Sequence, residues 1–229
     1  MEDINSNQIG VSFKGSGSYV PNQILTNQKI SEKVDTSDDW IKSRTGISNR
    51  RISGLSEDVS EMGYKAALGA IEMTKWDIDT IDLIILATST PNDLFGSAPN
   101  IQLKLGANNA VAFDLTAACS GFLFATITAS QFLKAGSYKR AIVIGSDQLS
   151  SYVDWNDRRS CILFGDGAGA IAIEATKEFD NLIGFNMKTD GKGGYFLNLP
   201  SQNKEDLIID NINFSNGGFS SIAMNGKEV

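Results

Sequence analysis

The 229-residue sequence contains no histidine. Every His-dependent catalytic dyad and every His-bearing metal pattern is therefore excluded within these residues. Cysteine is nearly as scarce. Cys119 and Cys161 show neither a disulfide framework nor zinc spacing, which suits a reducing compartment and predicts no bound metal. Basic residues are outnumbered, 20 Lys and Arg against 27 Asp and Glu, for a net charge of −7. That balance argues against non-specific binding to nucleic acid or to an anionic membrane, although a local basic patch can still take an anionic ligand. No apolar run approaches membrane-spanning length. The opening MEDINSNQ is polar and acidic, unlike a secretory signal. A soluble, cytoplasmic chain is expected.

What is abundant is glycine, 22 residues of it, which fits an α/β protein with many tight turns. The length allows one large domain or two modest ones. The most informative stretch is Val111 to Gly136, VAFDLTAACSGFLFATITASQFLKAG. Val111 to Leu115 predicts a buried strand. Small residues follow from Thr116 to Gly121, and a helical pattern then runs to Ala135, with Gly136 as its stop. Lys134, in the last turn, is the only charged residue of that helix, so the helix is expected to be buried. Cys119 falls at the strand-to-helix turn, where free N–H groups favour a thiolate and can hold an oxyanion. On spacing alone two readings stand: a nucleophile, or a small cysteine filling a gap.

In chain order, Met1 to Gln8 reads as a loose tail and Ile9 to Lys14 as a strand broken into a loop by Gly15-Ser16-Gly17. Thr36 or Ser37 caps a short helix that Gly46 ends. Trp40 and Arg44, four apart, share a face of it. They read either as a core Trp with Arg44 in a surface ion pair, or as an aromatic plate for a base with a guanidinium for a phosphate. Ser56 to Thr74 predicts an amphipathic helix, Asp82 to Thr88 a parallel-sheet strand, and Ser89 to Ala98 a loop with an exposed Phe95. Pro99 to Leu105 reads as helix, Arg140 to Gly145 as buried strand, and Ser146 to Arg159 as polar loop or short helix. Cys161 is placed in a strand-like context. Beyond Thr176 come strands near Leu182 to Met187 and Tyr195 to Leu199, a turn at Asp190 to Gly194, and polar, irregular chain from Gln202 to Gly218. The end, Ser220 to Val229, looks like the first turn of a helix cut short.

Gly165, Gly167 and Ala170 fit the dinucleotide pattern G-x-G-x-x-A, but that pattern needs a helix to follow. IAIEA follows instead and gives out at Thr176. The glycines are therefore assigned to a close backbone approach within or beside a strand, and a nicotinamide cofactor is not expected.

The passages GSGSYVPNQILTN, DTSDDWIKSRTGI, FDLTAACSGF, IVIGSDQLS and ILFGDGAGA occur in that order. Together they resemble 3-oxoacyl-acyl-carrier-protein synthase III, a thiolase-superfamily ketosynthase family that initiates type II fatty-acid synthesis. The resemblance covers about Ile9 to Val229. It implies an αβαβα layered fold of two similar halves, usually a homodimer, with 1–175 as the first half and 176–229 the start of the second. It implies that Cys119 is the acyl-accepting nucleophile. Trp40 and Arg158 would sandwich the coenzyme A adenine, with Thr36 as a polar contact to it and Arg44 a contact to the phosphates. Phe164 would wall the acyl pocket and Phe95 reach the partner subunit's pocket, with Leu197 and Met224 also at pocket-side positions. The implied reaction joins acyl-CoA and malonyl-acyl carrier protein through an acyl-Cys intermediate with release of carbon dioxide. Coenzyme A thioester is then a substrate, and no resident cofactor is implied. The family's His and Asn, which stabilise the enolate, have no counterpart in these residues, so the chain is expected to be cut off and unable to complete the condensation alone. The alternatives are a catalytically incomplete fragment that only binds coenzyme A or accepts an acyl group, and a related ketosynthase with a coenzyme A extender (chalcone-synthase-like or hydroxymethylglutaryl-CoA-synthase-like).

Overall fold

The structure, a computed structural model, describes residues 9–202, 204–209, 212–226 and 228. The expected N-terminal tail, 1–8, lies outside them. In chain order the elements are β1 (Gly10–Tyr19), β2 (Gln23–Thr26), α1 (Asn27–Ser31), α2 (Asp38–Thr45), β3 (Asn49–Ile52), α3 (Val59–Thr74), β4 (Leu83–Ala87), α4 (Ala98–Leu105) and β5 (Val111–Leu115). There follow α5 (Gly121–Lys134), β6 (Arg140–Gln148), α6 (Arg158–Cys161), β7 (Asp166–Thr176), β8 (Leu197–Asn198), β9 (Lys204–Ile209), β10 (Ile212–Asn216) and β11 (Ala223–Met224). The chain forms two compact units that alternate along the sequence. One comprises the residues up to Gln23, Arg51–Gln148 and Asp166–Asn186; the other comprises Ile24–Arg50, Leu149–Gly165 and the residues from Met187 on.

The first unit is built on a five-stranded sheet in the order β1-β7-β6-β4-β5. β4 runs parallel to β5 and β6, while β7 is antiparallel to both β6 and β1. All five residues of β4 are buried. Its apolar run is continuous because both faces are covered, and alternate side chains serve different layers. Ile84 and Leu86 pack with Ala66 and Ala70 of α3 and Ile101 of α4. Leu83 and Ile85 pack with Ala125, Ala129 and Leu133 of α5. Each such Leu or Ile contributes roughly 1.5–3 kcal/mol by leaving water.

Several expectations are corrected here. β1 does not break at Gly15-Ser16-Gly17; it continues to Tyr19 with a register shift between Phe13 and Gly15. The reason is proximity. A Cβ on Gly17 would lie 2.1 Å from the Ala66 carbonyl oxygen, and one on Gly15 would lie 2.6 Å from that of Ala70. These glycines let β1 lie against the backbone of α3. α3 starts at Val59, where Asp58 rather than Ser56 caps it by accepting from the Glu61 N–H. β5 is an edge strand rather than a buried one, and Val111 is 47% exposed. α5 buries only the face turned to the sheet, leaving Leu123 65% exposed. No strand forms over 182–187. Gly167 and Gly169 do lie inside β7, and strand rather than helix follows them, as the sequence reading required.

The second unit packs around Ile30, Ile41, Val153, Cys161, Ile162 and Ile222. α2 forms as read. The Ser37 hydroxyl accepts from the Trp40 N–H at 3.1 Å, and Gly46 ends the helix at φ 73°. Cys161 ends a helical turn, α6, instead of standing in a strand. The expected strand at 195–199 shrinks to β8, which pairs with β11. The stretch read as irregular contains the antiparallel pair β9 and β10. Its polar residues masked two short β-capable runs, Leu207-Ile208-Ile209 and Ile212-Asn213-Phe214. Among the described residues, no helix is long and apolar enough to cross a membrane and no acidic or thiol cluster could hold a metal ion.

Candidate active site

In the first unit, the segment after β5 turns sharply. Ala118–Ser120 forms a single 3-10 turn and α5 starts at Gly121. Ala118 has φ 46°, a left-handed conformation that costs an L-residue roughly 1–2 kcal/mol. A Cβ on Gly121 would come within 3.3 Å of the Ala87 side chain, so the turn sits tightly against the end of β4. Cys119, on this strained turn, is exposed. Ser120, the cap residue of α5, makes no side-chain capping hydrogen bond. The thiol therefore stands at a helix start whose N–H groups meet no capping side chain among the described residues.

Sequence reasoning missed the carboxylate that organises the neighbouring strand ends. Asp147, near the end of β6, accepts from the Ser89 N–H at 2.7 Å and from the hydroxyls of Thr90 at 3.1 Å and Thr88 at 3.2 Å. Burial pushes its carboxyl above the usual range, and these hydrogen bonds oppose that rise. The Thr88 N–H in turn donates to the Leu115 carbonyl, fixing the exit of β5. The available signal was the run Thr88-Ser89-Thr90 directly after a buried strand. Further along, Phe95 sits at a loop tip and is 98% exposed, as expected.

In the second unit, three of the singled-out residues meet. The Arg44 guanidinium lies 4.7 Å from the Trp40 ring centroid and that of Arg158 lies 4.9 Å from it. Arg158 also donates to the Asp35 carbonyl at 2.8 Å. Trp40 satisfies part of each reading made from sequence. It packs against the apolar cluster, yet it stays half-exposed, and Arg44 forms no ion pair among the described residues. The Thr36 hydroxyl is buried without a hydrogen-bond partner among the described residues. It lines a polar cavity of about 490 Å³ with Ser37, Asp38 and Lys42. Phe164 is half-buried against the same apolar cluster. Leu197 and Met224 are cross-strand partners, and Met224 shares a second cavity of about 630 Å³ with Arg159, Asn225 and Gly226.

Residues 113–191 match the family described as 3-Oxoacyl-[acyl-carrier-protein (ACP)] synthase III. Over all 229 residues the chain is 86% identical to the beta-ketoacyl-[acyl-carrier-protein] synthase III of Prochlorococcus marinus (strain MIT 9515), covering 68% of that protein. The chain belongs to the 3-oxoacyl-acyl-carrier-protein synthase III family. The family's members are condensing acyltransferases of fatty-acid synthesis with a thiolase-like α/β fold. The synthase III from Thermus thermophilus superposes with a TM-score of 0.81 at 32% identity, over 96% of this chain and 66% of that one. The synthase III from Aquifex aeolicus VF5 gives 0.74 at 38% identity, again over 96% and 66%. This chain thus spans about two thirds of the length of its synthase III relatives. Of the residues that the family resemblance singles out, Cys119 and Phe95 belong to one compact unit. Thr36, Trp40, Arg44, Arg158, Phe164, Leu197 and Met224 belong to the other.

Proposed function

We propose that these residues bind an acyl-coenzyme A and transfer its acyl group to Cys119, the opening half of the initiating condensation of type II fatty-acid synthesis. The observation that carries the reading is the half-exposed Trp40 with two guanidiniums within 5 Å of its ring, in the same unit as a Thr36 hydroxyl that has no partner among the described residues. A flat aromatic with guanidiniums suits a base and its phosphates. In this reading Thr36 meets the adenine, Arg44 the phosphates, and Phe164, Leu197, Met224 and Phe95 line acyl pockets.

The Cys119 thiolate attacks the thioester carbonyl, and N–H groups at the start of α5 hold the oxyanion. The carbon–sulfur bond to coenzyme A then breaks, the coenzyme A thiolate leaves and takes up a proton, and acyl-Cys119 remains. In the second half-reaction malonyl-acyl carrier protein loses carbon dioxide. The resulting enolate attacks the acyl-Cys carbonyl and displaces the Cys119 thiolate. With no histidine in the 229 residues, the donors for that enolate are not among the residues assigned above. The reading includes a homodimer in the cytoplasm, the first of two similar halves at 1–175 with the start of the second at 176–229, and coenzyme A as substrate without a resident cofactor.

The test is incubation with acetyl-CoA followed by peptide mass spectrometry and release of carbon dioxide from malonyl-acyl carrier protein, measured separately. An acetyl adduct on Cys119, absent from Cys119→Ala, is expected. An adduct on Cys161 instead, or coenzyme A binding that survives Trp40→Ala unchanged, would remove the assignment.

A further inference from the structure

Arg50, in β3, is 3% exposed, and no carboxylate pairs with it among the described residues. Its Nη1 donates to the Asn27 side-chain oxygen and its Nη2 to the Ile162 carbonyl. Its Nε has no partner among the described residues. Desolvation accordingly pushes the guanidinium below its ordinary range. For packing alone, an apolar side chain of similar volume would be the less costly occupant of such a position. What an apolar side chain cannot do is hold two acceptors at a fixed separation, which the planar fork of Arg does.

The two acceptors lead to the two sides of the Trp40 site. Asn27 is 1% exposed, and its Nδ2 donates to Asp38 Oδ1 and to the Ile47 carbonyl, both at 2.8 Å. Asp38 is the first residue of α2 and Ile47 follows the cap that ends it, so Asn27 grips α2 at both ends. Ile162 closes α6, whose first residue is Arg158. Trp40 on α2 and Arg158 on α6 then meet across 4.9 Å. We infer that Arg50, acting through Asn27 and Ile162, is a positioning residue that sets the spacing between Trp40 and Arg158. The role in ligand binding rests on the coenzyme A reading above; the spacing itself does not.

The test uses the full chain labelled with 5-fluorotryptophan. Three tryptophans are present, so the Trp40 fluorine resonance is assigned by its loss in Trp40→Phe. Arg158→Ala should shift that resonance in the otherwise unaltered protein. In Arg50→Met the resonance should already have moved, and adding Arg158→Ala should shift it little further, because the contact is lost once α6 is no longer held. Arg50→Lys, a cation without the fork, should behave as Arg50→Met does. The Trp76 resonance should stay in place throughout. Coenzyme A affinity in Arg50→Met should fall by the same factor as in Arg158→Ala. A folded Arg50→Met with an unmoved Trp40 resonance overturns the proposal, as does a full additional shift from Arg158→Ala. Failure of both Arg50 variants to fold overturns it too, since Arg50 would then be holding the unit together rather than setting a distance. If the unaltered protein fails to bind coenzyme A, the functional reading falls while the resonances still decide the positioning role.

Discussion

Replacing Arg158 by Ala should weaken coenzyme A less than the geometry first suggests. Arg158 already stacks on Trp40 at 4.9 Å from its centroid. An adenine between them needs about 3.5 Å on each side, roughly 7 Å in all. Binding must therefore open the pair by about 2 Å and strain the hydrogen bond from Arg158 to the Asp35 carbonyl, 2.8 Å long. The ligand exchanges one cation–π contact, Arg158 on Trp40, for another, Arg158 on the base. Each is worth about 0.5–1 kcal/mol at a part-exposed site. Their difference is no more than about 0.5 kcal/mol, or roughly a twofold change in affinity. Removing the plate itself has no such compensation. Trp40→Ala forfeits base stacking of about 1–3 kcal/mol, or roughly 5- to 150-fold.

The assay is isothermal titration of coenzyme A into the unaltered protein, Arg158→Ala, Trp40→Ala and Arg159→Ala, each with a thermal melt to confirm folding. Arg159 is bound to Asp157 at 2.9 Å with its side chain 75% exposed, and its loss should leave affinity within about twofold. The refuting result is an Arg158→Ala loss that matches or exceeds that of Trp40→Ala. The slot would then be pre-opened in solution, or the base would lie elsewhere.

Cys119 should be alkylated by limiting iodoacetamide well before Cys161, because Cys119 is exposed whereas Cys161 is 1% exposed and burial pushes its thiol up; peptide mapping that finds Cys161 labelled first contradicts this. Gly17→Ala should destabilise by more than about 1–3 kcal/mol in urea unfolding, since its Cβ would meet the Ala66 carbonyl oxygen at 2.1 Å. Gly46→Ala, with nothing within 4 Å and φ 73°, should lose only the roughly 1–2 kcal/mol of left-handed strain. Asp147 has its folded pKa raised by burial, so the native state holds the proton more tightly than the unfolded chain. Its contribution is greatest below the ordinary carboxylate range and is lost as pH rises through the raised value. Urea midpoints of Asp147→Asn minus those of the unaltered protein should therefore climb from acid towards neutral pH, and a flat or falling difference would show that the Thr88, Ser89 and Thr90 donors outweigh burial.

Where local chemistry decides an element, the sequence made it legible. α2 carries its cap at Ser37, acids in its first turn and its stop at Gly46, and all three act within one turn of their own backbone. The turn at Cys119 was readable for the same reason. β1 was misread because the deciding neighbour is α3, about fifty residues away. Gly17 and Gly46 are the same letter, yet one is glycine because a carbonyl leaves no room and the other because its φ is positive. Similarly, the apolar composition of α5 led to a prediction of burial on all sides, but the described residues cover only the face against the sheet.

The adjacent arginines of β3 show most plainly what a pattern conveys and what it does not. Successive strand residues point to opposite faces, so Arg50 and Arg51 had to diverge. Arg51 is half-buried and donates to the Pro21 carbonyl at 2.9 Å, the ordinary fate of an arginine near a surface. Arg50 is buried with no acidic partner among the described residues. Alternation predicts that one of two neighbours faces inward but supplies no reason for the inward one to be charged. The reason becomes visible only when Asn27 and Ile162, 23 and 112 residues distant, are brought onto its fork. A buried cation with neutral partners is a poor means of stabilising a core and a good means of fixing a distance. In this unit the distance it fixes is the one across which Trp40 and Arg158 face each other.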